Sequence, residues 1–307
     1  MVASLPVYPL GVPALDALVA KLLRRLAELA PGRVHSLYLF GSHVDGSAAA
    51  SSDLDLFVVA HGELAPAEAK LIRDLGARLS AGRNTVDLLP VGSAQLLRDG
   101  HWRLEANSRL AAGDDLRPRL PREPLDSYLR RYTHAPYAYM SQVLRGVERL
   151  DYPLNYPDPA GEFYGYDHDP QPPLDPAARD IRALVATVCW IASLSAGLHA
   201  GHKVPSKSRA AAAYAEHVGD AWTDFVTAVY RRGKERWGYL VPSDPAARAE
   251  LRALCRDMLA FENRYLLRYR DYLLVQLQAG PAARRLAAER LRDWVHYPDV
   301  SVPDAVW

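Results

Sequence analysis

The stretch from Val34 to Val59, VHSLYLFGSHVDGSAAASSDLDLFVV, restricts the possible folds more than any other part of the chain. Val34 to Phe40 is apolar and stops at Gly41-Ser42, the pattern of a buried strand running into a tight turn. A run of small polar residues follows. Leu54, Leu56, Val58 and Val59 then mark a second strand, which carries Asp53 and Asp55. Side chains alternate along a strand, so Asp53 and Asp55 point one way while Leu54 and Leu56 point into the core. Two carboxylates on one strand face repel each other. A divalent cation relieves that repulsion, and an all-oxygen ligand set suits Mg²⁺. Asp87, flanked by Val86 and Leu88-Leu89, sits on a third strand that can set another carboxylate beside the first two.

The elements around this stretch follow in order. Residues 13–30 repeat apolar side chains at three and four, with Pro13 in the first turn and Pro31-Gly32 as a stop, which predicts an amphipathic helix. Pro66 opens a further helix to about Ser80, and residues 81–84 turn into the Asp87 strand. His101, Trp102 and Arg103 fall in a polar segment, 107–111 predicts a short last strand, and the proline-bearing stretch 116–124 reads as a linker. This half is α+β, a small mixed sheet with helices on one face.

A chain of 307 residues can bury two cores, and the domains are drawn at 1–122 and 123–307. From Asp126 the pattern is helical, over 126–150, 177–200, 206–217, 219–235, 245–278 and 281–295, which predicts an all-α bundle. The interruption at 151–176 carries seven prolines together with Tyr152, Tyr156, Phe163, Tyr164 and Tyr166. Long loops tend to be functional or disordered, and tyrosines are scarce in disordered linkers. Seven acidic residues and one basic residue, Arg179, occupy 151–180. Two readings stand for this loop: a receptor for a polycation, or a solvated connector pinned by its tyrosines.

The 37 basic and 36 acidic side chains nearly cancel, leaving a formal charge of +1. That balance lacks the positive excess of a protein that lives on nucleic acid, so no nucleic-acid partner is expected and a small substrate is favoured. Cys189 and Cys255 sit in helical patterns as buried thiols, without zinc spacing. The N-terminus has no charged and apolar leader, and no apolar run is read as long enough to span a membrane. A soluble, cytoplasmic, monomeric protein is expected.

Taken together, Gly41-Ser42, Asp53-Leu54-Asp55 and Asp87 resemble the signature of the DNA-polymerase-β-like nucleotidyltransferases. Within that group the second half is similar to the streptomycin/spectinomycin (aminoglycoside) adenylyltransferases, through Trp190, Ser206-Lys207 and Tyr230 in the stretch 181–230. The likeness lies mainly in 34–90 and 181–230. It departs from the pattern in three places: Asp87 stands where those enzymes carry Glu, the turn before Lys207 is longer and brings in Lys203, and the acidic loop rich in tyrosine and proline is read as longer as well.

The resemblance implies an N-terminal nucleotidyltransferase domain, followed by a helical domain that completes the ATP and acceptor sites. It implies transfer of AMP from ATP to a hydroxyl of a small, cationic acceptor, with pyrophosphate released. Gly41 and Ser42 would cradle phosphates, and Asp53, Asp55 and Asp87 would hold two Mg²⁺ ions, with Asp87 a ligand or the base. Lys207 would contact the triphosphate and Tyr230 the nucleotide, with Lys203, brought in by the longer turn, a further candidate beside them; apart from the resemblance, Lys207 reads equally as a surface lysine and Tyr230 as core. Asp180 would receive ammonium groups, and Glu162, Asp167 and Asp169 would add to the acidic loop. Trp102 either stacks on the acceptor or packs between domains. Two rivals remain: a regulatory or toxin–antitoxin-type enzyme acting on a protein or a tRNA, and a degenerate nucleotide-binding module.

Overall fold

The computed structural model describes residues 5–49, 52–80, 85–167 and 179–301. It divides into two compact units, Met1–Pro124 and Leu125–Trp307.

The first unit is built on the expected strands. Helix α1 (Pro13–Leu29) precedes β1 (Val34–Phe40), and a single turn of helix, α2 (Ser42–Asp45), follows Gly41. Strand β2 (Leu54–Ala60), helix α3 (Pro66–Leu79), strand β3 (Val86–Gly92), the short helices α4 (Ser93–Asp99) and α5 (Trp102–Ala106), and strand β4 (Ser108–Gly113) complete it. The sheet order is β3-β2-β1-β4. β1 pairs antiparallel with β2 and β4, whereas β2 and β3 run parallel, so the sheet is mixed.

Alternation along the strands divides the core in two. Leu37, Leu39, Leu54, Leu56, Val58, Val86 and Leu88 meet Val19, Leu22 and Leu26 of α1 and Ile72 and Leu75 of α3. On the opposite face Tyr38, Phe40, Phe57, Val59 and Val91 pack with Leu96 of α4, Leu104 of α5 and Leu116. Helices therefore cover both faces, not one as the sequence suggested. The reason is that Tyr38, Phe57 and Val59 make the second face apolar as well, and an apolar face is stabilised by a cover.

Among the described residues the second unit is mainly helical. Its members are α6 (Leu125–Tyr132), α7 (His134–Ala138), α8 (Arg182–Ala200), α9 (Lys207–His217), α10 (Thr223–Ala228), α11 (Pro245–Leu277) and α12 (Pro281–Asp293). The single helix expected over 126–150 is broken. Pro136 has no N–H to offer the carbonyl of Tyr132 four residues back, so α6 ends there; a π-turn at Tyr139–Val143 finishes the segment. The helix expected over 219–235 is likewise α10 continued by a π-helix, Val229–Arg236. A short parallel pair, β5 (Leu150–Asp151) with β6 (Val295–His296), ties the entry of the proline-rich loop to the end of α12.

Helix α8 corrects another expectation. At 19 residues with a mean hydropathy of 1.6 it is long and apolar enough to cross a membrane, yet 78% of that stretch is buried inside the fold. It serves as a core helix, with α7, α9, α11 and the π-helix packed against it.

The loop after β5 is pinned rather than loose over its described part, 152–167. Asn263 of α11 accepts the Leu154 N–H at 2.7 Å, and Arg145 donates to the Asn155 carbonyl at 2.9 Å. The Tyr166 hydroxyl donates to Glu262 at 2.7 Å, and Arg145 pairs with the same fully buried carboxylate at 2.7 Å. Phe163 and Tyr166 are themselves fully buried.

Candidate active site

Strand β1 ends at Phe40, opposite Asp55 of β2. Gly41 follows with φ 77° and ψ −146°, a conformation open in practice only to glycine. A second constraint acts on the same residue: a Cβ there would run into the Asp55 Oδ2 oxygen. The glycine thus lets the backbone lie directly against a carboxylate. Ser42 begins α2, Gly46 closes it in the left-handed conformation, and Asp45 accepts the Ser47 N–H at 3.0 Å as a local cap. The Asn107 amide donates to the Gly41 carbonyl at 3.4 Å, a long contact that nevertheless ties this turn to the approach to β4.

The carboxylates are gathered by register. In the parallel pair β2–β3, Asp55 and Asp87 are direct partners, as are Leu54 and Val86 on the other face. Neighbouring strands lie about 5 Å apart, so the two carboxylates are side by side on one face. Asp55 is half-buried and Asp87 exposed. Asp53 lies just before β2 and accepts a hydrogen bond from the Thr85 hydroxyl, while the Thr85 carbonyl accepts the Leu54 N–H at 2.8 Å. Thr85 and Asn107 were not singled out in the sequence, because neither belongs to a motif and both act through partners remote in the chain.

The donors are all carboxylate oxygens, which suits Mg²⁺. Among the described residues, however, no three His, Cys, Asp or Glu side chains converge as a preformed metal cage. The strands supply the donors' backbone positions. A cavity of about 130 Å³ lined by Leu26, Leu29, Val58, Leu71 and Ile72 lies toward the Val34–Ala60 end of β1 and β2, the other end from Asp55. Its polar lining is Arg33 with Glu68, paired at 2.8 Å, so it offers no comparable chemistry.

Trp102 is not in a polar loop. It starts α5 with its N–H donated to the Glu123 carboxylate at 2.8 Å, and Glu123 is 1% exposed; this acid satisfies a helix-start donor.

In the helical unit, Ser206 precedes α9 and Lys207 is its first residue, half-buried, as is Lys203. Tyr230 is buried in the π-helix, and the Lys234 ammonium lies 5.6 Å from its ring centre. Trp190 stacks on Tyr132 at 5.7 Å. Asp180 accepts the Arg182 N–H at the start of α8, and its other oxygen is 3.6 Å from the Arg182 guanidinium.

The acidic loop holds a surprise for the charge count. Glu162 is gripped by the Arg248 guanidinium, which holds its carboxyl below the usual range, and Asp167 is nearly buried against Arg179 at 3.1 Å. Arg248 lies outside 151–180, so a local count of charges could not see it. Asp169 lies outside the described residues. Both cysteines are free and buried as expected, and burial raises the Cys189 thiol to about 11.

A mixed four-stranded sheet with a glycine turn against paired strand carboxylates defines a class, and residues 19–94 match the family model described as Nucleotidyltransferase domain. That segment runs from α1 through β3 and contains Gly41, Ser42, Asp53, Asp55 and Asp87, so the match spans the strands and the turn that gather the carboxylates. Among solved structures, the chain is similar to the spectinomycin adenyltransferase AAD(9) from Enterococcus faecialis, solved with ATP and spectinomycin, at 14% identity and TM-score 0.45 over 82% of this chain and 99% of that one. A toxin–antitoxin structure with AMP-PNP is similar at 24% identity and TM-score 0.24, over 33% of this chain and 74% of that one. No curated protein matches.

Proposed function

We propose that this chain is an adenylyltransferase that moves AMP from ATP to a hydroxyl of a small, cationic acceptor of the aminoglycoside class, releasing pyrophosphate. The observation that carries the reading is the register pairing of Asp55 with Asp87 beside the Gly41 turn, within a nucleotidyltransferase domain. The acceptor class rests on the resemblance of 181–230 and on a net charge of +1, which favours a small substrate over RNA. Such a chain would act as a monomeric, cytoplasmic enzyme that inactivates an antibiotic.

The backbone N–H groups around Gly41 and Ser42 would bind phosphate oxygens, and a glycine would let those oxygens approach the chain. Asp53 and Asp55, with Asp87, are the residues that would hold two Mg²⁺ ions. Bound there, Mg²⁺ supplies neutralising charge for the triphosphate and for the attacking and leaving oxygens. Asp87, the most exposed of the three, takes the proton of the acceptor hydroxyl. The hydroxyl oxygen bonds to the α-phosphorus, the bond from that phosphorus to its bridging oxygen breaks, and pyrophosphate leaves with the electron pair. Lys203 and Lys207 bind phosphate oxygens and Tyr230 holds the nucleotide. Of the acidic residues around the loop, Asp180 is assigned to the acceptor's ammonium groups on the resemblance alone; it shares its charge with Arg182, as Glu162 and Asp167 share theirs with Arg248 and Arg179.

The test is pyrophosphate release with each nucleoside triphosphate, Mg²⁺ and a panel of aminocyclitols and aminoglycosides, with products weighed by mass spectrometry. An AMP adduct on a cationic small molecule is expected. Adducts found only on protein or tRNA would overturn the acceptor class, and no nucleotide transfer to any acceptor would overturn the reading itself.

A further inference from the structure

Three carboxylates and one hydroxyl share a corner of the first unit's sheet. Asp55 pairs with Asp87 and Leu54 with Val86 in the parallel register of β2 and β3. One step back along both segments, Asp53 meets Thr85. The Thr85 hydroxyl donates to Asp53 Oδ1, and the Thr85 carbonyl accepts the Leu54 N–H at 2.8 Å. Side chains alternate along extended chain, so Asp53, Asp55, Thr85 and Asp87 fall on one face, while Leu54 and Val86 are buried on the other. A fourth carboxylate in place of Thr85 would add to the repulsion among the acids. A hydroxyl instead donates to one of them and relieves part of it.

The donor is fixed from behind. Ser80, which follows α3, accepts the Val86 N–H at 2.9 Å through its side chain and donates to the Gly76 carbonyl at 3.0 Å. Gly76 lets α3 press on the same residue, since a Cβ there would meet the Val86 carbonyl oxygen at 2.7 Å. Thr85 is thus held by its own carbonyl on Leu54 and by the anchored Val86 that follows it. A β-branched side chain is also stiff about χ1, so the hydroxyl is a preset donor. Thr85 and Asp53 are both half-buried, where a hydrogen bond to a charged oxygen is stronger than in open water.

We propose that Thr85 is a positioning residue for the divalent-cation site, its hydroxyl setting the Asp53 carboxylate in the orientation that receives the metal; this rests on the nucleotidyl-transfer reading above. A carboxylate already held loses less conformational freedom when a cation binds. Hydrogen-bond partners behind metal-binding carboxylates orient them, and losing one costs about 10–100-fold in metal affinity. The competing role is that of a strand former, because threonine favours strands whatever its neighbours. Two substitutions separate the roles. Valine keeps the branch and loses the hydroxyl, whereas serine keeps the hydroxyl and loses the methyl group.

Mn²⁺ suits the same oxygen ligands. It can be titrated into the full-length chain with a non-hydrolysable ATP analogue and followed by electron paramagnetic resonance, with the protein-free mixture subtracted. Thr85→Val should weaken Mn²⁺ binding about 10–100-fold with the metal-free melting temperature little changed, and Thr85→Ser should retain most of the affinity. In steady-state kinetics Thr85→Val should need more Mg²⁺ and recover turnover as Mg²⁺ is raised. Asp53→Asn is the reference for a lost ligand. Wild-type Mn²⁺ affinity in Thr85→Val, beside a loss in Asp53→Asn, overturns the proposal and leaves the nucleotidyl-transfer reading standing. Equal losses in Thr85→Val and Thr85→Ser, with lowered melting temperatures in both, would make Thr85 a structural residue and refute it as well. No Mn²⁺ binding by wild type, or binding that Asp53→Asn leaves unchanged, overturns the metal reading itself and the proposal with it.

Discussion

Gly41→Ala tests the geometry of the site most directly, because two separable costs fall on one methyl group. The first is conformational. Gly41 has φ 77° and ψ −146°, and holding a residue with a Cβ in such a region costs about 1–3 kcal/mol. The second is steric and local, since the new Cβ meets the Asp55 Oδ2 oxygen and the carboxylate must turn aside. Gly46 provides the control. It also has positive φ, 74°, but a Cβ there meets nothing within 4 Å, so Gly46→Ala bears only a backbone cost of about 1–2 kcal/mol. Both variants should lower the denaturant midpoint of the first unit. Gly41→Ala alone should abolish measurable AMP transfer, because it displaces a carboxylate required for the reaction, whereas Gly46→Ala should keep most of it. Chemical denaturation followed by pyrophosphate release at saturating ATP reads both effects. Wild-type turnover by Gly41→Ala, or equal activity losses in the two variants, would refute the placement of Asp55 against this turn.

Asp87→Asn should lower kcat by about 10²–10⁴-fold if the carboxylate is the base, with ATP affinity by calorimetry little changed; a fall in affinity would make it chiefly a metal ligand. Asp180→Asn should raise the acceptor KM with a smaller effect on kcat, and Glu162→Gln should leave that KM alone because Arg248 already occupies its charge; the reverse order in steady-state kinetics would return the acceptor to the loop. Arg145→Met should destabilise the helical unit by about 3–5 kcal/mol, since it strands the fully buried Glu262 carboxylate, as read by thermal unfolding. His134 is held down to about 4, first by burial and then by the charge of Arg290. Its unfolded value is higher, so the unfolded state takes up the proton first and stability falls as pH drops from about 6.5 toward 4, by at most about 1.4 kcal/mol per pH unit. Melting temperatures between pH 7 and 5 should converge in His134→Gln relative to wild type.

The first unit was legible in the sequence because its signals are local. Apolar alternation in Val34–Phe40 and Leu54–Ala60, and the glycine that breaks the first strand, act over a few residues, and the strand period alone puts Asp53 and Asp55 on one face. Boundaries in the helical half were less legible. The break after Tyr132 follows from Pro136, a local cause that the helical period masked, whereas the π-helix at 229–236, which packs against α8, has no such local mark.

What the tertiary structure alone decided is who meets whom. The parallel register that sets Asp87 beside Asp55, the Thr85 hydroxyl on Asp53, and Arg248 on Glu162 all join residues separated by 30 or more positions. Charge counted along the chain left 151–180 readable as an acidic receptor or as a solvated connector, but Coulomb energy depends on distance in space: Arg248, from far along the chain, holds Glu162, and Arg179, the one basic residue of that stretch, holds Asp167. Lys234 is the same lesson in reverse. In sequence it is one cation in a basic run, whereas in the fold it is buried beside the Tyr230 ring. Local periodicity chose the strands and the carboxylate face; long-range packing, which no short window contains, chose the partners that give each charge its environment.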